Sequence, residues 1–141
     1  MPEILYTTIA GEGQAEYEDR KSVFIGHAMP VKSEEDAVRY IKNIRHKYSD
    51  ARHNVHAFMI GNGTVSRSND DGEPSGSAGV PVLEVIRKSG ITDVCIVVTR
   101  YFGGILLGTG GLVRAYSAAA KAAIENAGVV TYEQYTVMRL N

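Results

Sequence analysis

The layering of this chain is set by one run, Val94-Cys95-Ile96-Val97-Val98-Thr99-Arg100-Tyr101-Phe102-Gly103-Gly104-Ile105-Leu106-Leu107-Gly108-Thr109-Gly110-Gly111-Leu112-Val113-Arg114-Ala115-Tyr116. It reads as an apolar strand over Val94–Thr99, then an arginine–aromatic–glycine corner, then a glycine-rich turn that opens a helix. A strand that is apolar on both faces is typical of a sheet covered on both sides. We therefore predict that this strand is buried and that its carboxyl end leads into a candidate binding corner.

The glycine-rich turn is a candidate anion site. Backbone N–H groups at the start of a helix are unpaired and partly positive, which suits a phosphate. However, Gly108–Gly111 has no lysine and so is not a P-loop, and the third glycine of a dinucleotide-binding loop would fall on Val113. The hypothesis therefore rests on the helix terminus at Gly110 and Gly111, assisted by Arg114, and close backbone packing is the alternative.

The length and charge of the chain limit the classes of protein to which it can belong. The chain has 141 residues, of which 44% are apolar, enough for one domain with a real core. Its 15 basic and 16 acidic side chains give a net charge of -1, so any nucleic-acid contact needs a local patch. The single cysteine, Cys95, lies in the apolar strand and is typical of a core residue in a reducing compartment.

Targeting signals are not evident. No apolar run approaches the roughly 18 residues that cross a bilayer. Met1-Pro2-Glu3 is not followed by the basic and apolar segments of a signal peptide. We expect a cytoplasmic protein.

Outward from the central run, the pattern predicts further strands and helices. Gly26 and Pro30 weaken the second strand and indicate an edge position, and an acidic, glycine-containing loop through Asp19 precedes it. The predicted strands are Ile4–Ile9, Val23–Val31, Val55–Ile60, Thr64–Ser68 after a Gly61-Asn62-Gly63 turn, Val94–Thr99 and a last extended stretch over Val129–Leu140.

Three helices complete the pattern. The first is capped by Ser33, the second starts near Pro81 and stops at Ser89-Gly90, and the third spans Leu112–Ala127. The third is rich in alanine, which predicts close packing on a sheet. Strands alternating with helices, plus one hairpin, indicate an α/β (α+β two-layer) fold, a mixed sheet with helices packed on it.

The corner after the buried strand is the main candidate binding site. Ligands of α/β sheets favour the carboxyl ends of strands. Arg100 offers a fork for phosphate or carboxylate, and Tyr101 and Phe102 offer stacking faces. Gly103 and Gly104 fit the same hypothesis, but they could be present only because the backbone needs positive φ there.

An acidic loop, Asn69–Gly79, is the second candidate. Asp70-Asp71-Gly72-Glu73 could hold Mg²⁺ or Ca²⁺, although its spacing is not that of an EF-hand. A hydrogen-bonded turn is the alternative, with Asp71 capping backbone N–H groups of the Pro74–Ser77 turn.

Other reactive residue types do not form a defined catalytic set. His53 and His56 are three apart on a predicted strand, so they point to opposite faces and cannot share a metal; His56 is then expected to donate to a neighbour within the sheet. Ser75 and Ser77 are not in a nucleophile elbow. We predict no catalytic residues, no metal and no cofactor.

Two long motifs resemble those of the IMPACT/YigZ family. They are Asp70–Pro81 and the run from Val97 to Tyr116, and Lys21–Gly26 and His53–Ala57 resemble earlier motifs of that family. The resemblance covers about Tyr17–Val130. It implies the N-terminal domain of that family, with a fold like domain IV of elongation factor G.

The resemblance also carries expectations about function. Eukaryotic members regulate translation under amino-acid starvation by competing for a protein partner of a kinase, and for bacterial members it implies nucleic-acid or ribosome binding. Bacterial members usually continue into a second small α/β domain, and this chain stops at Asn141, where that domain would begin. Residues 1–141 are thus expected to be one domain.

The leading hypothesis is a non-enzymatic module that binds RNA, the ribosome or a translation-related protein. The alternatives are a small-molecule enzyme or phosphate-ligand binder, with the acidic loop supplying a base or metal ligand, and a pure protein-interaction domain. The first requires the two candidate stretches to converge into one exposed, electropositive hollow. The predicted binding residues are Asp70, Asp71, Gly72, Glu73, Ser75, Gly76, Arg100, Tyr101, Phe102, Gly103, Gly104, Gly110, Gly111 and Arg114.

Overall fold

A computed structural model describes residues 4–133 of the chain. The elements in chain order are β1 (Ile4–Ile9), β2 (Gly13–Asp19), β3 (Ser22–Pro30), α1 (Glu34–Lys47), β4 (His53–Ile60), β5 (Val65–Asn69), α2 (Gly79–Lys88), β6 (Val94–Tyr101), α3 (Gly108–Ala127) and β7 (Val129–Glu133). Among them, no helix is long and apolar enough to cross a membrane. The predicted extended stretch Val129–Leu140 begins as β7, and its part after residue 133 lies outside the described residues.

The central sheet has five strands in the order β2-β3-β6-β4-β5, with the predicted buried strand β6 in the middle. The predicted α+β class is confirmed. The sheet was expected to be mixed, and all of its paired strands are antiparallel. The crossover through α1 makes β3 and β4 run in the same direction, but β6 is inserted between them and pairs antiparallel with both. A separate two-stranded sheet joins β1 and β7.

Helices cover β6 on both faces, as its apolar sequence predicted. Val94, Ile96 and Val98 point into a core shared with α2 and α3. Cys95 and Val97 point into a second core under α1. The alternation of side chains along a strand produces these two cores.

Helix α3 lies very close to the sheet, as its alanines predicted. A Cβ added at Gly26 would lie 2.4 Å from the carbonyl oxygen of Ala119, and one at Gly13 would lie 2.6 Å from that of Ala123. The edge position predicted for β3 from Gly26 and Pro30 is therefore wrong, because β3 lies between β2 and β6. Gly26 allows the helix to approach an interior strand.

Strand β2 lies where the sequence pattern predicts an acidic loop. It pairs with β3 through a two-residue turn, Arg20-Lys21, whose φ angles are 46° and 67°. Such turns usually carry Asn-Gly or Gly because both central residues are left-handed. The missing turn signal concealed the hairpin, whereas the Gly61-Asn62-Gly63 turn between β4 and β5 was identified correctly.

Candidate functional site

The two candidate stretches meet at a buried ion pair between Arg100 at the end of β6 and Glu73 in the acidic loop. Nη1 of Arg100 donates to Oε2 of Glu73 at 2.8 Å and to Oε1 at 3.0 Å. Phe24 and His53 are the register neighbours of Arg100 on β3 and β4, so all three side chains lie on one face of the sheet. The loop folds over that face, and the predicted convergence of the two stretches is present.

Further polar groups surround the Glu73 carboxylate. The hydroxyl of Tyr116, on α3, donates to Oε2, and Nε2 of His53 lies 3.7 Å from Oε1. Burial, and then the Glu73 carboxylate, raise the pKa of Tyr116 far above its ordinary value. The ring nitrogen Nδ1 of His53 lies 2.8 Å from the carbonyl oxygen of Asp71. The carboxylate therefore accepts hydrogen bonds from two separate elements, β6 and α3, and lies close to a third, β4.

The expected exposed, electropositive hollow at Arg100 is not present. Arg100 is 7% exposed and Glu73 is 8% exposed, so the guanidinium does not face solvent. Phe24 and Tyr116, both fully buried, fill the space beside the ion pair. The physical reason is that an arginine at this depth requires a carboxylate partner, and Glu73 supplies it. Neither residue can contact a ligand directly in this arrangement.

The acidic loop is organised by Asp70 rather than Asp71, which corrects the predicted cap. The Asp70 carboxylate accepts hydrogen bonds from the backbone N–H groups of Gly76 at 2.9 Å, Ala78 at 3.2 Å and Gly79 at 2.8 Å. Burial raises the pKa of Asp70, but these three donors outweigh burial and lower it overall. Asp70 thus caps α2, whose own N-cap, Ala78, has no side-chain acceptor.

Asp71 links the loop to β4 and α1. Its carboxylate accepts from the backbone N–H of Asn54 at 2.7 Å and from Arg45 at 2.9 Å. Asp71 and Gly72 have φ angles of 42° and 89°, and an added Cβ at Gly72 would lie 3.3 Å from Nδ1 of His53. The carboxylates proposed for a hard cation are therefore all engaged by donors of the protein, as the hydrogen-bonded alternative described.

The corner after Arg100 packs on the β2–β3 turn. A Cβ at Gly103 would lie 2.0 Å from the backbone carbon of Lys21, and the Gly103 N–H donates to Ser22 at 3.1 Å. Gly104 has a φ of 89° and is exposed. One glycine is thus required by close approach and the other by its backbone conformation.

The two aromatic residues of the corner differ in exposure. The Tyr101 hydroxyl donates to Asp50 at 2.7 Å, and that bond, with a smaller contribution from burial, raises the pKa of Tyr101 to about 12. Phe102 is 54% exposed, and the guanidinium carbon of Arg100 lies 5.5 Å from the centre of its ring. Phe102 is the aromatic group of the predicted site that faces solvent.

The glycine-rich segment lies within the first turn of α3, not before it. The helix begins at Gly108, and Leu107 at the N-cap offers no side-chain hydrogen bond. Gly110 is exposed, whereas Gly111 is buried and an added Cβ there would lie 3.0 Å from Leu107. Arg114 is exposed one turn further on. The packing alternative therefore accounts for Gly111.

The two histidines and two serines considered in the sequence do not form a common site. His53 and His56 lie on opposite faces of β4, as predicted, because His53 faces Glu73 and His56 points to the α1 side with Phe58. Nδ1 of His56 is buried and finds no partner within residues 4–133, so the donation expected from it is not seen at that atom. The Ser77 hydroxyl donates to the Pro74 carbonyl at 2.6 Å. Ser75 and Gly76 are exposed.

The arginines of the chain fall into two groups that their sequence positions do not distinguish. Within the described chain, three of them make no ion pair: Arg20, Arg52 and Arg114. The other arginines there each contact a carboxylate, and they are Arg39, Arg45, Arg67, Arg87 and Arg100. Residue type alone could not have separated the two groups.

The three unpaired arginines belong to segments at the same end of the sheet as the corner. Arg20 is on the turn that packs against Gly103, Arg52 directly precedes the strand residue paired with Arg100, and Arg114 lies near the start of α3. We call this end of the sheet, with Lys21 and Phe102, the arginine end. Nearby Asp50 is engaged by Tyr101, and Glu18 and Asp19 form an acidic border on β2.

Comparison with known proteins gives a consistent result. Residues 20–124 match the family described as the Impact N-terminal domain. The chain is 45% identical over 134 residues to the IMPACT family member YvyE of Bacillus subtilis, covering 94% of this chain and 62% of that protein. It is 41% identical over 110 residues to the IMPACT family member YigZ of Escherichia coli, covering 76% of this chain and 54% of that protein.

A solved structure also matches. The crystal structure described as that of a hypothetical protein superposes with a TM-score of 0.84 at 35% identity, over 92% of this chain and 63% of that one. The chain thus spans less than two thirds of the length of each of these three proteins.

Proposed function

The chain belongs to the Impact N-terminal domain family, and from that premise we propose that it is a non-enzymatic binding module that contacts RNA of the translation machinery through the arginine end. The translation link follows from the family resemblance. The RNA contact is supported by one observation above all, the three exposed arginines without carboxylate partners around one corner of the sheet. Unpaired arginines are available for phosphate oxygens.

The β2–β3 turn supports this proposal independently. Arg20 and Lys21 both have left-handed backbones, although glycine or asparagine would adopt that conformation at lower cost. A non-glycine residue in this region costs roughly 1–2 kcal/mol. Two cations at such positions indicate that their side chains serve a purpose that outweighs the backbone cost.

The acidic groups favour binding over catalysis. An enzyme at this corner would need a free carboxylate for proton transfer or metal binding. Glu73 is engaged by Arg100 and Tyr116, and Asp70 by three backbone N–H groups. The ion pair instead holds the corner and the acidic loop in fixed positions beneath the exposed cations.

The chain offers a matched test. We expect simultaneous replacement of Arg20, Arg52 and Arg114 by alanine to weaken binding of fluorescein-labelled oligouridine by about tenfold or more at low salt, and to reduce the salt slope of the affinity by about 2. Replacing Arg39, Arg67 and Arg87 removes the same charge from ion-paired positions and serves as the control.

The same two triple variants are then sedimented with purified ribosomes. Equal loss of oligouridine and ribosome binding in both variants would show a general charge effect and would reject the arginine end. Ribosome binding that depends on the three arginines without any RNA affinity would indicate a protein component of the ribosome as the partner.

A further inference from the structure

Two phenylalanine rings, one of them Phe102, lie within cation–π distance of the Arg100 guanidinium. The guanidinium carbon of Arg100 lies 5.6 Å from the centre of the Phe24 ring and 5.5 Å from that of the Phe102 ring. Phe24 is fully buried, whereas Phe102 is 54% exposed. The buried cation therefore lies near Phe102, while about half of that residue remains open to solvent.

The groups around Phe102 are held in place from several sides. Arg100 is fixed by Glu73, and Phe24 makes an edge-to-face contact with Tyr116 at 5.1 Å between ring centres. The residue after Phe102, Gly103, is held by its hydrogen bond to Ser22 and by close contact with Lys21. A ring fixed in this way loses little conformational entropy when a ligand packs on it.

An exposed aromatic ring beside unpaired arginines is the arrangement used for single-stranded nucleic acid. Aromatic rings stack on bases regardless of sequence, and the cations follow the phosphates. Bases in a duplex are already stacked on each other and do not offer a free face. Ile105 and Leu106, which are 40% and 80% exposed, extend the apolar surface beside the ring.

We infer that the arginine end selects single-stranded RNA, with one unpaired base stacked on the outer side of Phe102. This inference rests on the proposed function, since it names the class of RNA bound at the same surface. Arg100 and Glu73 are then positioning residues, which support the Phe102 ring and do not touch the RNA.

The absence of tryptophan from all 141 residues allows a direct test. Phe102→Trp introduces one tryptophan, and base stacking should quench its fluorescence when oligouridine or oligoadenosine is added. A blunt-ended RNA duplex of equal length, in which every base is paired, should leave the fluorescence nearly unchanged. Phe102→Leu keeps an apolar side chain without a stacking face and should lose about tenfold in affinity for the single strand.

The outcomes separate the two proposals. If the triple arginine variant loses RNA binding while Phe102→Leu binds single strands and duplexes as the parent does, the RNA surface stands and the stacking inference is wrong. If the arginine variant binds RNA normally, the proposed role of the three arginines fails. Quenching of Phe102→Trp by a single strand but not by the duplex would then still support stacking at residue 102, and no quenching would overturn it. Quenching by ribosomal proteins but by no RNA would overturn the inference in favour of a protein partner.

Discussion

Glu73 and Arg100, 27 positions apart in the chain, form an ion pair through a single guanidinium nitrogen, with side chains only 3% and 8% exposed. The pair connects the acidic loop to the carboxyl end of the central strand. It is the contact that turns two separate motifs into one surface, and it determines which residues of those motifs remain accessible.

Removing one member of this pair should destabilise the fold strongly. Glu73→Ala leaves a buried guanidinium without its partner, and we expect a loss of about 3–5 kcal/mol in the free energy of unfolding. Urea denaturation at neutral pH measures it. Glu84→Ala breaks the exposed pair with Arg87 and should cost less than about 1 kcal/mol. Equal losses in the two variants would contradict the buried role of Glu73.

Gly103 should not tolerate a side chain. Its added Cβ would lie 2.0 Å from backbone atoms of Lys21, which cannot rotate away, so Gly103→Ala should cost about 2–3 kcal/mol or more. Gly11→Ala is the control, since nothing lies within 4 Å of that Cβ, and it should change stability by less than about 0.5 kcal/mol. Thermal unfolding of both variants measures the difference in stability. An unaffected Gly103→Ala would show that the corner after Arg100 does not contact the β2–β3 turn.

Asp70→Ala should loosen the start of α2. Three backbone N–H groups lose their acceptor, and a loss of about 1–2 kcal/mol is expected, as for other N-caps. Because the pKa of Asp70 is lowered in the folded protein, its contribution is present above the ordinary pKa and disappears as the pH falls through the folded value. Amide hydrogen exchange at Gly76 and Gly79 should accelerate in the variant, while Asp70→Asn, which keeps one acceptor oxygen, should show a smaller effect.

His27 should make stability depend on pH. Thr99 gives its proton to Asn54 and so accepts from Nε2 of His27, which places a hydrogen on that ring nitrogen. Burial, and to a smaller extent Lys47, lower the pKa of His27 from 6.5 to about 4. Between these values the unfolded chain binds a proton that the folded chain excludes, so stability falls as the pH drops from 6.5 towards 4, by on the order of 3 kcal/mol.

The comparison for this prediction is His27→Gln, which has no titrating group at that position. Its unfolding free energy should change less between pH 7 and pH 5 than that of the parent protein, with exposed His46→Gln as the control. An identical pH dependence in His27→Gln and the parent would exclude His27 as the cause.

Local patterns predicted most of the fold correctly. The apolar run of β6, the alanines of α3 and the Gly61-Asn62-Gly63 turn each led to the right element, because each is governed by neighbours in the chain. Strand β2 could not be predicted from the sequence because its turn, Arg20-Lys21, lacks the residues that usually adopt left-handed backbones. The position of Gly26 was misjudged because its partner, Ala119, is distant in sequence.

Family membership and the two motifs at the candidate site could be identified from residue order, since both depend on which residues follow one another. Which side chains of those motifs are buried could not. Arg100 has the same chemistry as Arg114, but a carboxylate from another segment neutralises and covers Arg100 while Arg114 stays exposed. Accessibility and charge pairing are properties of distant segments brought together, so only the tertiary structure shows that Arg20, Arg52, Arg114 and Phe102 are exposed while Arg100 is not.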